Sequence, residues 1–376
     1  MNRILFACFV LVFVSGCSYV AGSPGEDIYK IAVVAPQFGP YQALGLSIIN
    51  GAELAVDLRN QKGGIDGKKI KLIKVDDGGL AGEGTWRAKS LVSEMVLGVI
   101  GHLNSDISIP ASEIYSKAMI AEISPGSTSP FFTERDPVRG YVFRTIGRDD
   151  KQGEIAARFV QKMGYKKIAV LYNNRSYGFS LASEFVNKIN ELSKDTNIVF
   201  YEMYKVKQTD FNKEARTIHE LSLQKKPPDV VFFVGEYGDG AKFLSELRNL
   251  GLNTAFLGSE GVFDKEFIHA SGSKSEGALV LSLPQTDNKD FIESYKNKFN
   301  KELGAYSANS FDATNILISA IEKAKEKNPD TIAKVIRETK DYDGLTGKIS
   351  FDEKGDLVNP NFAIYRVKNG IFVAIK

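Results

Sequence analysis

The sequence predicts an α/β fold of two doubly wound parallel-sheet domains, and three observations carry that prediction. From residue 29 onward, short apolar runs alternate with amphipathic stretches, the mark of βαβ units around a parallel sheet. The rhythm breaks at Arg144-Thr145-Ile146 and starts again, which gives two units each about the size of one domain. The tail has a different order of elements and does not make a third such unit. The length of 376 residues agrees with two domains.

The first unit opens with Lys30-Ile31-Ala32-Val33-Val34-Ala35, a strand apolar on both faces. Leu44, Ile48, Ala52 and Ala55 then recur at helical spacing until Gly63-Gly64 stops the helix. Ile70–Val75 reads as a strand, Thr85–Val96 as a helix and Leu97–Ile100 as a strand; Ile107–Lys117 is helical and Ala118–Ile123 extended. In the second unit a helix carrying Ile155, Phe159, Val160 and Met163 precedes the strand Lys167–Tyr172. A helix with Ala182, Phe185, Val186 and Ile189 follows, then the strand Asn197–Phe200, the helix Phe211–Leu223 and the strand Asp229–Val234. A helix with Phe243, Leu244 and Leu247 leads to the strand Thr254–Leu257. The tail holds a strand at Ala278–Leu283, two or three helices between Asp290 and Arg337, an extended Gly347–Phe351, and final strands at Phe362–Val367 and Ile371–Ala374. Its helical block is too small to stand alone, so it is expected to pack back on the first unit while the last strands return to the second. Several crossings between the units imply a hinge beside a cleft.

Composition narrows the function. With 48 Lys+Arg against 46 Asp+Glu, the net charge of +2 provides no broad basic face for nucleic acid. A chain 43% apolar, 11% aromatic and 25% charged is an ordinary globular one and neither disordered nor polytopic in a membrane. His102, His219 and His269 share no metal-ligand spacing, so no metal is expected, and no cofactor. Neither a solenoid repeat nor a low-complexity segment is present in the sequence.

Met1-Asn2-Arg3 and the apolar run Ile4–Val14 form a secretory signal, too short to span a membrane as a mature helix. Its end, Val14-Ser15-Gly16-Cys17, resembles the lipobox of bacterial lipoproteins, in which the cysteine becomes the acylated first residue. The alternative is an ordinary signal peptide cleaved slightly downstream. Residues 1–16 are thus the signal peptide and 17–27 a tether containing Gly22, Ser23, Pro24 and Gly25. The only other cysteine is Cys8, so no disulfide stabilises the folded part.

Ligands of open parallel sheets bind beyond the carboxyl ends of the strands. After Leu97–Ile100 comes Gly101-His102-Leu103-Asn104-Ser105-Asp106, entering a helix. A hydroxyl and free N–H groups there suit a carboxylate, although a plain N-cap accounts for the same residues. After Ile123 comes Ser124-Pro125-Gly126-Ser127-Thr128-Ser129-Pro130, a rigid loop with hydroxyls and exposed backbone groups that turn chemistry alone would also select. In the second unit Tyr172 precedes Asn173-Asn174-Arg175-Ser176-Tyr177-Gly178, Val234 precedes Gly235-Glu236-Tyr237-Gly238, and Leu257 precedes Gly258-Ser259-Glu260-Gly261. The acids and tyrosines could face a cation across a cleft or be solvated turn residues. Dinucleotide, Walker-type and nucleophile-elbow motifs are missing, and no orienting acid for His102 is evident. His102 reads as structural and Trp86 as packing.

Several segments together resemble the type I periplasmic binding proteins, in particular their leucine/isoleucine/valine-binding branch. They are Asn60-Gln61-Lys62-Gly63-Gly64-Ile65 with Val75-Asp76-Asp77, Ile100-Gly101-His102-Leu103 with Pro110-Ala111-Ser112, and Gly258-Ser259-Glu260-Gly261-Val262 with Asp352-Glu353-Lys354-Gly355-Asp356. The likeness runs from residue 28 to about 370. It implies a three-crossover hinge between an N-terminal lobe of residues 28–148 plus 284–352 and a C-terminal lobe of 149–283 plus 353–376. It also implies that Ser105, the Gly126 backbone and Thr128 hold an amino-acid carboxylate, and that Glu260 takes the ammonium. Tyr177 would be an aromatic lid, and Tyr306, Leu103 and Leu44 would wall the side-chain pocket. Three departures stand out. Glu236 replaces a tyrosine, Leu44 replaces an aromatic, and Gly79 and Asn104 occupy the positions of a family disulfide, leaving the Asn104 amide at the rim. The implied function is extracytoplasmic amino-acid binding for an ABC importer by hinge closure, branched-chain or related, without catalysis. The protein would be a monomer, anchored by lipid at Cys17 in the periplasm or at the cell surface, with a permease as partner and no nucleic acid. The alternative is a receptor module that signals the same ligand, or a small amide, to a membrane partner.

Overall fold

The computed structural model describes residues 28–375 except Lys225 and Asn361. The signal peptide, the tether and Cys17 lie outside the described residues. The first unit runs β1 (Tyr29–Val34), α1 (Gln42–Gln61), β2 (Ile70–Val75), α2 (Ala81–Ser93), β3 (Gly98–Gly101), α3 (Ser105–Lys117), β4 (Ala121–Ser124) and β5 (Val142–Arg144). Its strands form one parallel sheet in the order β2-β1-β3-β4-β5. Both faces are covered over the central strands β1 and β3, which is why these read as largely apolar runs. Ile31, Val33 and Ile100 pack on one side with Ile48 and Ala52 of α1. Ala32, Val34 and Val99 pack on the other with Leu91 of α2 and Tyr115 of α3.

The second unit runs α4 (Asp149–Lys162), β6 (Lys167–Asn173), α5 (Ser176–Leu192), β7 (Asn197–Tyr204), α6 (Asn212–Leu223), β8 (Val230–Val234), α7 (Tyr237–Asn249), β9 (Ala255–Gly258), α8 (Lys265–Ser271) and β10 (Leu279–Ser282). The tail adds α9 (Lys289–Phe299), α10 (Ser307–Lys323), α11 (Pro329–Arg337), the hairpin β11 (Tyr342–Gly344) and β12 (Gly347–Ile349), then β13 (Ala363–Lys368) and β14 (Ile371–Ala374). The second sheet repeats the first in the order β7-β6-β8-β9-β10, all parallel, and is extended by β13 and β14, both antiparallel. Its core is rich in aromatic rings: Phe233 stacks on Tyr204, Phe243 and Phe256.

As the sequence implies, α10 and α11 share the core of the first sheet, through Leu317, Ile321, Ile332 and Ile336, while the last strands return to the second. The chain therefore crosses between the units three times. The crossings are tied together by ions. The fully buried Arg144 places Nε 2.6 Å from Asp356 Oδ1, and Asp356 Oδ2 accepts from Arg148 at 2.8 Å. Arg144 also donates to the Ser127 and Ser129 carbonyls. The Arg144 N–H donates to the Gly355 carbonyl. The turn at 352–356 is thus held on β5 of the first unit.

Two elements correct the sequence reading. Helix α2 begins at Ala81, not Thr85, although Gly82 and Gly84 argue against a helix there. A Cβ on Gly84 would lie 2.2 Å from Ile107 Cγ2, so glycine is what lets α2 approach α3. The short strand β5 carries no periodic signal at three residues, yet all three are buried beside β4. No helix among the described residues is long and apolar enough to cross a membrane.

Candidate functional site

In each sheet the strand order reverses between the first and third strands of its unit, and a crevice opens beyond their carboxyl ends at such a switch point. The two crevices face each other across a space lined by Leu44, Leu103, Asn104, Ser105, Gly126, Tyr177, Glu236, Glu260, Gly261 and Tyr306. From the first unit, α1 presents Leu44, the turn after β3 presents Leu103 to Ser105, and the turn after β4 presents Gly126. From the second, α5 presents Tyr177, the turn after β8 presents Glu236, and the turn after β9 presents Glu260 and Gly261. Tyr306 precedes α10. Every lining side chain is at most 8% exposed, so a bound molecule would be enclosed.

At the first unit's side, Ser105 opens α3 and its hydroxyl accepts from the Ser129 N–H at 3.3 Å. Ser105 retains its own O–H to donate to an anion, beside the unsatisfied N–H groups of the first helical turn. A Cβ at Gly126 would lie 2.9 Å from Leu103 Cδ1 and 3.1 Å from the Leu103 carbonyl oxygen, so the loop packs tightly on this wall. The Gly126 N–H is engaged by Ser124 Oγ at 3.2 Å.

The second unit's side is acidic. Glu260 begins a single 3-10 turn; its carboxylate accepts from the Tyr177 hydroxyl and its N–H donates to Gln152 Oε1 at 3.1 Å. Glu236 Oε2 accepts from Asn173 Nδ2 at 3.0 Å. Burial pushes the Glu260 carboxyl up to about 8 and the Glu236 carboxyl up to about 7. Nearby Asp149, at the start of α4, is likewise raised by burial to about 7. No salt bridge reaches Glu236 or Glu260 from the described residues.

Across the cleft, Arg175 of the second unit donates to the Gly79 carbonyl at 2.6 Å, lies 3.3 Å from Asp106 and covers the Tyr41 ring with its guanidinium 4.8 Å from the centroid. All three partners belong to the first unit.

The structure brings eight of the nine ligand residues expected from sequence to this cavity: Ser105, Gly126, Glu260, Tyr177, Glu236, Tyr306, Leu103 and Leu44. Thr128 is the exception. It is fully buried and not among the lining residues; its carbonyl accepts the Asp149 N–H, and its hydroxyl oxygen has no hydrogen-bond partner among the described residues. Gln152 was not singled out by the sequence, because it lies inside a helix with nothing local to mark it. His102 does have an acid: Nδ1 lies 2.7 Å from Asp77 Oδ2, and both side chains are buried. Its Nε2 faces the Tyr115 hydroxyl at 3.3 Å, so the ring ties the end of β3 to the loop after β2 and to α3. No group of three or more His, Cys, Asp or Glu among the described residues is placed to hold a metal ion.

The arrangement can neutralise a molecule with an anion at one end and a cation at the other. An unpaired buried charge is very costly, so both ends have to be matched. A family model described as "Periplasmic binding protein" matches residues 28–370. The Leu/Ile/Val-binding protein homolog 1 of Brucella suis is 31% identical over 376 residues, covering 98% of this chain and 97% of that one. A leucine-, isoleucine-, valine-, threonine- and alanine-binding protein of Pseudomonas aeruginosa is 30% identical, with 92% of each chain covered. Among solved structures, a leucine binding protein of Thermotoga maritima superposes with a TM-score of 0.84 at 28% identity, covering 93% of this chain and 98% of that one. A branched-chain amino acid transporter substrate binding protein of Streptococcus pneumoniae, in complex with isoleucine, gives 0.82 at 27%, covering 92% and 98%.

Proposed function

This chain belongs to the periplasmic binding protein family, and from that membership we propose that it is the extracytoplasmic substrate-binding component of an ABC importer, closing on an amino acid. The observation that carries the reading is the polarity of the cavity, with Ser105 and a helix N-terminus on one wall and Glu260 on the other. A zwitterion satisfies both at once. The carboxylate meets the Ser105 hydroxyl and the first N–H groups of α3; the ammonium meets Glu260 and lowers its raised pKa. Leu44, Leu103 and Tyr306 line the rest with apolar surface suited to the side chain or its stem.

The protein works by hinge closure, without chemistry. One lobe comprises residues 28–148, the block from 284 and the turn that ends near Leu357; the other comprises 149–283 and the last two strands. Ligand meets one lobe, and closure adds the contacts of the other. The partner is a permease of an amino-acid importer. A lipid at Cys17 would hold the protein at the membrane as a monomer.

The test is a thermal-shift panel of the amino acids on protein unfolded and refolded to remove carried-over ligand. A ligand at 100 times its Kd adds about 2.7 kcal/mol, several degrees for a protein of this size. A shift with at least one amino acid is expected. No shift with any of them would overturn the reading.

A further inference from the structure

Two turns at equivalent places in the two sheets place the N-cap residue of the following helix at the cavity. Asn104 is the N-cap of α3 and Glu236 the N-cap of α7, each directly following the third strand of its unit. Asparagine is among the best N-caps because its side-chain oxygen accepts from the second or third helical N–H. Neither Asn104 nor Glu236 makes that bond. Both side chains line the cavity instead. Asn104 is 8% exposed and its Oδ1 has no hydrogen-bond partner. Glu236 is 6% exposed, and only its Oε2 is engaged, by Asn173. Two helices thus forgo a cap, and the cavity gains acceptors at two sites beyond Glu260.

The charges make the surplus plain. Asp106 has Arg175 at 3.3 Å, and Asp239 has Lys242 at 3.5 Å. The Arg175 charge that favours ionised Glu236 is itself engaged by Asp106 and the Gly79 carbonyl. An amino acid with an aliphatic side chain brings one ammonium to a cavity that holds two carboxylates and an idle amide oxygen. It would leave Glu236 and Asn104 buried and unmatched, which costs affinity.

We propose that the ligand is an amino acid whose side chain carries hydrogen-bond donors, a terminal cation or amide, and that Glu236 together with Asn104 selects it. The proposal rests on the amino-acid reading above and narrows it. The apolar wall of Leu44, Leu103 and Tyr306 then packs the methylene stem, and the acceptors hold its end.

The test is calorimetric titration of the refolded protein with lysine, arginine, glutamine and asparagine against leucine, isoleucine and valine. At least one donor-bearing amino acid is expected to bind about 10- to 100-fold more tightly than any aliphatic one, the range of hydrogen bonds to charged groups. Glu236→Gln keeps the shape and an oxygen for Asn173. It is expected to weaken a cationic ligand tenfold or more and an amide ligand less, while leucine, which never matches the carboxylate, loses no affinity. Tighter binding of leucine, isoleucine or valine to the unaltered protein would overturn this proposal while leaving the amino-acid reading intact. An equal loss for every ligand on Glu236→Gln would also overturn it, since a merely structural carboxylate acts that way. If no amino acid bound at all, the broader reading would fall and this one with it.

Discussion

After β3 the chain turns through Leu103-Asn104-Ser105 into α3; after β8, its counterpart in the second sheet, it turns through Gly235-Glu236-Tyr237 into α7. After β4 it passes Gly126, and after β9 Glu260. The backbone plan is the same in both units, and the chemistry is opposite. The first unit offers a hydroxyl, a glycine and helix N–H groups, all without formal charge. The second offers two carboxylates. The topology decides where side chains meet a ligand, and the residues at those places decide what the ligand has to be. The difference also extends to cost. An unpaired backbone amide costs about one hydrogen bond on burial, whereas the two carboxylates are pushed well above their ordinary range and are relieved by a cation or by donated hydrogen bonds.

Removing one half of this polarity should have the largest effect. Glu260→Ala takes away the ammonium's buried partner and should weaken binding by about 2–5 kcal/mol, at least about 30-fold. Titration calorimetry measures it, and an unchanged Kd would remove Glu260 from the site. The next effect is on pH. Glu260 faces Tyr177, Gln152, the charge of Asp149 and, from the first unit's tail, Tyr306. Its folded pKa is raised from 4.5 to about 8. Its contribution to the stability of the ligand-free protein is therefore fully present below 4.5 and lost as the pH rises through about 8. Glu236 and Asp149 act in the same sense, up to about 7. Ligand binding should run the other way, because the ammonium needs ionised Glu260. Affinity should fall on acidification from pH 8, by at most about tenfold per unit for one linked proton. Melting temperatures with and without ligand across pH 5–9 would show the two trends diverging; parallel trends would contradict the assignment.

On the neutral side, Ser105→Ala should cost about tenfold, because the α3 N-terminus still meets the carboxylate. A loss as large as that of Glu260→Ala would mean that the hydroxyl, not the backbone, carries the first unit's share. The smallest effect expected is that of Tyr177→Phe, a few-fold loss in affinity from removing one donor to Glu260 while keeping the ring.

The sequence made most of this site legible for a definite reason. Strand ends can be located from apolar runs, and ligand residues of open sheets stand just beyond them. Ser105, Glu236 and Glu260 were all found in that way, and the family resemblance then assigned roles to two of them. What escaped depended on the third dimension. Gln152 reaches Glu260 from within a helix, and Asp77 reaches His102 from a loop 25 residues away. Thr128 does not line the cavity in this structure; a hydroxyl in a loop looks the same in sequence whether it faces a cavity or the first crossing. The start of α2 was missed because glycine propensity argues against a helix, while packing against Ile107 requires the glycine.

Arg175 has a consequence of a different kind. Its bonds to Gly79 and Asp106 and its stacking on Tyr41 join the lobes without belonging to the cavity lining. Such contacts favour the closed population whatever the ligand and so raise all affinities together. The same guanidinium also favours the ionised form of Glu236. A substitution at the lobe rim that removes it therefore shifts every affinity and also changes the charge of a carboxylate that lines the cavity.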